Sequence, residues 1–148
     1  MSIAAPDPSS LPPPVALWRR FAAMFYDTLA LIGIWFVAGG IAVGLEHGVA
    51  VPADSLLFKG VLLLSSYLYF AFCWRRGGQT LGMKSWRLRV VNDSGARLGW
   101  GQTLLRFGVG LLAWLPLAFG YWWALADPQG RTWTDRASAS RLIRVVGR

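Results

Sequence analysis

The chain has 148 residues, of which 55% are apolar and 15% charged, against roughly 25% charged in an average soluble domain. The apolar residues come in long blocks rather than at alternating or helical intervals, which makes lipid their solvent and excludes an ordinary soluble enzyme. With 15 Lys and Arg against 7 Asp and Glu the net charge is +8, as expected of basic loops held on the cytoplasmic side of a membrane. The single cysteine, Cys73, excludes an internal disulfide, and the single histidine, His47, argues against a His-based metal site.

Residues 1–15 hold five of the eight prolines (Pro6, Pro8, Pro12, Pro13 and Pro14) and read as a disordered tail. Residues 16–148 read as a single membrane domain. A run from about Trp18 to Leu45 contains Arg19-Arg20 at its start and no cleavage site, so it is a first membrane helix and not a signal peptide. Glu46 to Ser55 carries Glu46, His47 and Asp54 without Lys or Arg and reads as an outside loop. Leu56 to Trp74 is a second membrane helix. Arg75, Arg76, Lys84, Arg87, Arg89, Arg97 and Arg106 then stand against Asp93 alone, which places loop 75–103, and with it the amino terminus, in the cytoplasm.

Within that loop Trp86 to Val91 is rich in strand formers and Asn92-Asp93-Ser94-Gly95 is a turn sequence, so a short β-hairpin is expected. The third apolar run, 104–126, contains Pro116. A straight crossing would leave Arg131, Arg136, Arg141, Arg144 and Arg148 outside, against the bias of basic residues. A segment broken or re-entrant near Leu115-Pro116 would instead return the basic tail, 127–148, to the cytoplasm, and stands beside a straight, proline-kinked span. The expected fold is an all-α membrane protein with about three hydrophobic helical segments and a short cytoplasmic β-hairpin.

Asp27 is the most informative residue. It lies roughly 13 Å into the first helix if entry is near Trp18, at ~1.5 Å per residue. An ionised aspartate at the centre of a span costs ~2.5 to 3.5 kcal/mol on insertion scales, so it needs a partner, water or a proton. Arg20 shares its helix face two turns away, and Arg106 on another helix would serve as well. Such an acid either binds a cation or proton, or makes a structural bond between helices. Gly40 and Gly44 have a spacing that lets helices approach closely. Trp18, Trp74, Trp122, Trp123 and Trp133 fall near membrane boundaries, where indole rings anchor. The basic loop, with Trp86 and Trp100 interleaved, is expected to meet anionic lipid head groups rather than nucleic acid. No Ser-His-Asp or Cys-His set and no phosphate loop is present, so neither an enzyme nor a cofactor is expected. By composition, Gly77-Gly78-Gln79-Thr80-Leu81-Gly82 is a turn.

The order of these pieces carries a resemblance. Arg20, Ala23 and Asp27, then Gly78-Gln79-Thr80-Leu81-Gly82-Met83-Lys84, Leu88-Arg89-Val90-Val91 with Gly95, Leu104-Leu105-Arg106 and finally Asp135 resemble the RDD family of small bacterial membrane proteins over about residues 17–146. The resemblance implies that the arginine and two aspartates of the family's name fall on Arg20, Asp27 and Asp135. Gly78, Gln79, Thr80 and Gly82 would be motif positions. This chain departs at Arg87, where glycine is common, and at Arg136 after Asp135. The resemblance further implies a multi-pass protein of the bacterial inner membrane and transport of a small ligand, with cation/proton exchange among the suggested activities. The expected polar site is Arg20, Asp27, Arg106 and Asp135, with no metal and with a homo-oligomer to complete a pathway. The alternative is a non-transporting scaffold or a lipid- or partner-binding module.

Overall fold

The computed structural model describes residues 15–52, 54–114 and 119–145. The expected proline-rich tail, apart from Val15, and the expected break at Leu115-Pro116 lie outside the described residues. In chain order the elements are α1 (Leu17–Leu45), α2 (Leu56–Arg76), α3 (Leu81–Ser85), β1 (Leu88–Asn92), α4 (Trp100–Trp114), α5 (Phe119–Ala126), α6 (Trp133–Ala137) and β2 (Ser140–Arg144).

The 29 residues of α1 and 21 of α2 make rods of about 43 and 31 Å, at ~1.5 Å per residue. Both are long and apolar enough to cross a membrane. Their outward side chains, such as Phe36, Leu56, Leu57 and Leu64, stay exposed, as lipid-facing residues do. The Ser55 hydroxyl accepts from the Phe58 amide to cap α2, and Arg75 and Arg76 complement its carboxyl end. Halfway along, Trp35 Nε1 donates to Ser66 Oγ at 2.9 Å and ties the two helices together.

The third apolar run is described as two helices, α4 and α5, of 15 and 8 residues. Each is shorter than the ~20 residues a crossing requires. α5 folds back against α4: a Cβ at Gly120 would stand 2.6 Å from Ala113 Cβ, so this contact needs glycine. Two described helices, and not three, therefore have the length of a membrane span.

β1 falls where strand formers predict it, but the expected hairpin does not form. Asn92 closes a tight turn by accepting at Oδ1 from the Ala96 amide and the Ser94 hydroxyl. The chain then leads through buried Leu98 into α4 instead of returning along β1. The partner is β2, antiparallel, with Val90 opposite Leu142, Leu88 opposite Arg144 and Asn92 opposite Ser140. Leu88, Val90, Ser140 and Leu142 are buried, and Leu88, Val90 and Leu142 pack in one core with Ala23, Trp74 and Leu98. The pairing puts the C-terminal strand on the same side of α1 and α2 as the loop that follows α2.

The two strands end two copies of one motif. Gly78 at φ 68°, N-cap Thr80, α3, Arg87 at φ 54° and β1 are matched at the same intervals by Gly130 at φ 62°, N-cap Thr132, α6, Ala139 at φ 44° and β2. Val90 and Leu142 hold equivalent places in the two copies, and the strand register is symmetric about that pair, so a pseudo-twofold axis passes between them. The copies also sit alike on their long helices. α3 packs on α1 through Gly82, where a Cβ would lie 2.0 Å from the Ala23 carbonyl oxygen, and α6 packs on α4 with Thr134 beside Gly110.

Gly82→Ala is therefore expected to lower stability by about 1–3 kcal/mol or more, because backbone faces the new methyl. Gly40→Ala, where nothing lies within 4 Å, should be neutral or favourable by about 0.5–1 kcal/mol. Thermal unfolding of the two variants in one detergent checks the contrast.

Candidate functional site

The four candidate side chains are all buried, with Arg20, Asp27, Arg106 and Asp135 exposing 6%, 4%, 6% and 0% of their surface. They form two clusters rather than one. In the first, Asp135 lies between two arginines from different long helices. Arg20 Nη1 of α1 reaches Asp135 Oδ2 at 2.6 Å, and Arg106 Nη1 of α4 reaches Oδ1 at 2.7 Å. Arg106 also donates to Ser140 Oγ at 2.8 Å, and Arg20 Nη2 to the Gly130 carbonyl at 3.1 Å. Asp135 is placed by a capping box, accepting from the Thr132 amide while its own amide donates to Thr132 Oγ1, both at 3.3 Å. Burial pushes the Asp135 carboxyl pKa up, but Arg106 and Arg20 outweigh burial and hold it down at about 2.

The second cluster surrounds Asp27. Thr80 Oγ1 donates to Oδ2 at 2.5 Å, while the Gly82 amide at 2.9 Å and the Tyr69 hydroxyl at 3.0 Å donate to Oδ1. These bonds close the N-terminus of α3: its first free amide, Leu81, donates to Tyr69 Oη, Gly82 to Asp27 and Met83 to Thr80 Oγ1. A helix of five residues cannot sustain itself, so Asp27 and Tyr69 hold α3 from the two long helices. The expected ion pair of Asp27 with Arg20 or Arg106 is not made, because both arginines point to Asp135. Among the described residues Asp27 has no Lys or Arg within ion-pair distance.

The glycine-rich block that composition predicts as a turn is a fitted part of this cluster. Gly78 uses a positive φ and lies so close to β1 that a Cβ would meet the Val90 carbonyl at 2.6 Å. Gln79 Nε2 donates to the Leu88 carbonyl at 2.7 Å, Thr80 caps α3 and binds Asp27, and Gly82 permits contact with Ala23. Tyr69, Thr132 and Ser140 are the participants that sequence reasoning missed. Thr132-x-x-Asp135 has the spacing of a capping box and could have been found; nothing in the sequence singles out Tyr69 or Ser140.

Between α1, α2 and α4 lies a cavity of about 490 Å³. Asp27, Thr28, Lys59, Ser66, Arg106 and Thr134 place polar or charged side chains on a largely apolar wall. No group of three or more His, Cys, Asp or Glu among the described residues could hold a metal ion.

The RDD family model matches residues 14–139, which include Arg20, Asp27, the glycine-rich block and Asp135. The chain belongs to the RDD family. It is 30% identical over 125 residues to the uncharacterized protein YxaI of Bacillus subtilis (strain 168), covering 73% of this chain and 83% of that one. No solved structure matches.

Asp135→Asn leaves two buried guanidinium groups without a counter-charge and is expected to cost about 3–5 kcal/mol, read as a lower midpoint in thermal unfolding. Because the folded-state pKa of Asp135, about 2, lies below the ~3.9 of an unfolded aspartate, its stabilisation is complete above that higher value. It is lost as pH falls from there through the lower one. Acid titration of unfolding should show this loss in the parent protein and a smaller one in the variant.

Proposed function

We propose that the protein is a multi-pass component of the bacterial inner membrane, amino terminus in the cytoplasm, in which Asp27 binds a proton or small cation drawn from the cavity between α1, α2 and α4. The observation that carries this reading is the pairing of Asp27: a buried carboxylate on the cavity wall whose described donors are all neutral. A carboxylate in a spanning helix without a cation beside it attracts one, or a proton. Thr80, Gly82 and Tyr69 hold its oxygens in place, and an ionised carboxylate has acceptor capacity beyond three hydrogen bonds. Two spanning helices enclose little on their own, so a homo-oligomer would supply the rest of a pathway.

Orientation follows from charge. Arg19, Arg75, Arg76, Lys84, Arg87 and Arg89 flank or follow the same ends of α1 and α2, and basic flanks are retained in the cytoplasm. Pairing of β2 with β1 then brings the basic tail to that side as well, which supports a third apolar segment that enters and returns.

A second reading has its own observation. Every described hydrogen bond to Asp27 also serves to fix the start of α3, so the residue could be a structural pin in a non-transporting scaffold or a module for lipid or partner proteins.

Reconstitution separates the two. Parent protein and Asp27→Asn are placed in liposomes with a trapped pH dye and challenged with sodium, potassium or lithium gradients. Cation-driven proton flux in the parent, lost in a variant that stays folded, is the expected result. Silence from both folded proteins overturns exchange and leaves the scaffold reading.

A further inference from the structure

The cytoplasmic half of α2 carries a second concave surface, which the Asp27 cavity does not use. Ser65, Leu68, Phe72 and Arg75 recur at intervals of three and four residues, so they form one stripe along the helix. Ile34 of α1 and Trp100, the first residue of α4, complete a groove of about 740 Å³. Leu68, Phe72 and Trp100 are each at least half exposed, so the groove opens sideways. From Ser65 to Arg75 the helix rises about 15 Å, at ~1.5 Å per residue, which is one leaflet of a ~30 Å hydrocarbon core.

The cytoplasmic end of the groove is positive. The Arg75 guanidinium lies 4.0 Å from the centre of the Trp100 ring, and that of Arg76 lies 5.3 Å from the centre of Phe72. Among the described residues neither arginine has an acidic partner, and Arg75 Nε is buried without a hydrogen-bond partner. Stacking holds the guanidinium plane and leaves its N–H edge for an oxyanion, the geometry in which arginine receives phosphate.

We propose that this groove seats one anionic phospholipid of the cytoplasmic leaflet, with its phosphodiester on Arg75 and Arg76 and an acyl chain along Ile34, Leu68 and Phe72. An acidic peptide does not fit, because its backbone would lie unsatisfied at hydrocarbon depth. A soluble phosphate would use the arginines and leave the apolar wall unused. The assignment rests on α2 crossing the membrane with Arg76 on the cytoplasmic side, and is independent of any exchange at Asp27.

The test is lipid retention by the full chain. Protein purified in detergent is offered equal phosphatidylglycerol and phosphatidylcholine, and bound lipid is counted by native mass spectrometry. The parent is expected to retain phosphatidylglycerol preferentially. The preference should fall on the order of tenfold in R75A/R76A, fall less in R76A, and stay unchanged in R97A, which removes an exposed loop charge. Arg76 is exposed, so R76A keeps the proposal testable if the double variant does not fold. Equal retention of both lipids by the parent, an unchanged preference in R76A and the double variant, or an equal loss in R97A overturns the seat. Retention of neither lipid overturns it as well, whereas flux through Asp27 is unaffected by any of these outcomes.

Discussion

The structure depends on one carboxylate shared by two arginines. Removing a guanidinium from water costs several kcal/mol, and Arg20 and Arg106 are both buried. Asp135 is the acid that meets them, one oxygen to each. Since the arginines belong to α1 and α4 and the acid to α6, the pairing closes only if the chain after α4 turns back. The contact of α5 with α4, the capping box that aims Asp135 and the strand pairing that follows it are parts of that return. Two further acids fasten it: buried Asp127 pairs with Arg136, and Asp93 of the loop after β1 pairs with Arg131 at 2.9 Å.

The repeated motif explains why carboxylates sit where they do. Each copy is a short helix held at its N-terminus by a threonine and a carboxylate, followed by a left-handed residue and a strand. In the second copy the carboxylate is internal, Asp135. In the first its place is taken by Met83, and Asp27 of α1 supplies the carboxylate from outside. The symmetry also breaks at the leading glycines: the Gly78 carbonyl accepts from the Val90 amide of its own strand, whereas the Gly130 carbonyl accepts from Arg20. The two halves are thus cross-linked by the same arginine that meets Asp135.

Much of this was legible in the sequence and some was not, for physical reasons. α1 and α2 show because they are unbroken apolar runs, and β1 shows because Leu88 to Val91 favours a strand. The strand's partner stays hidden: Ser140-Arg141-Leu142-Ile143-Arg144 is five residues with two arginines, and its pairing is fixed by the distant return of the chain. The short helices are too brief for periodicity to register. Arg20, Asp27 and Arg106 could be singled out because charge in apolar surroundings is costly, and Asp135 only through the family resemblance, but neither route says which acid meets which base. Arg20 shares a helix face with Asp27 and still turns to Asp135, since the capping box delivers that carboxylate where the arginine points. Tyr69 was invisible as a site residue because its hydroxyl donates to Asp27 of α1 and accepts from the Leu81 amide of α3, contacts that only the packed structure sets.

The unequal sharing of charge bears on what the cavity can do. The four candidate site residues are two arginines and two aspartates, all buried, yet the ion pairs are not one to one. Asp135 takes both arginines, so that triad keeps one excess positive charge, and Asp27 is left with neutral donors. Asp27, Arg106 and Lys59 all line the cavity, which is therefore polar in the electrostatic sense, with separated charges on a largely apolar wall. A cation at Asp27 would feel attraction from the carboxylate and repulsion from Arg106, both strengthened by the low dielectric. On the proposed reading, a site balanced in this way would hold a cation less tightly than a lone buried carboxylate, and weak holding is what release requires. Had Arg106 paired with Asp27, the carboxylate would already be neutralised and the cavity would have nothing to offer a cation.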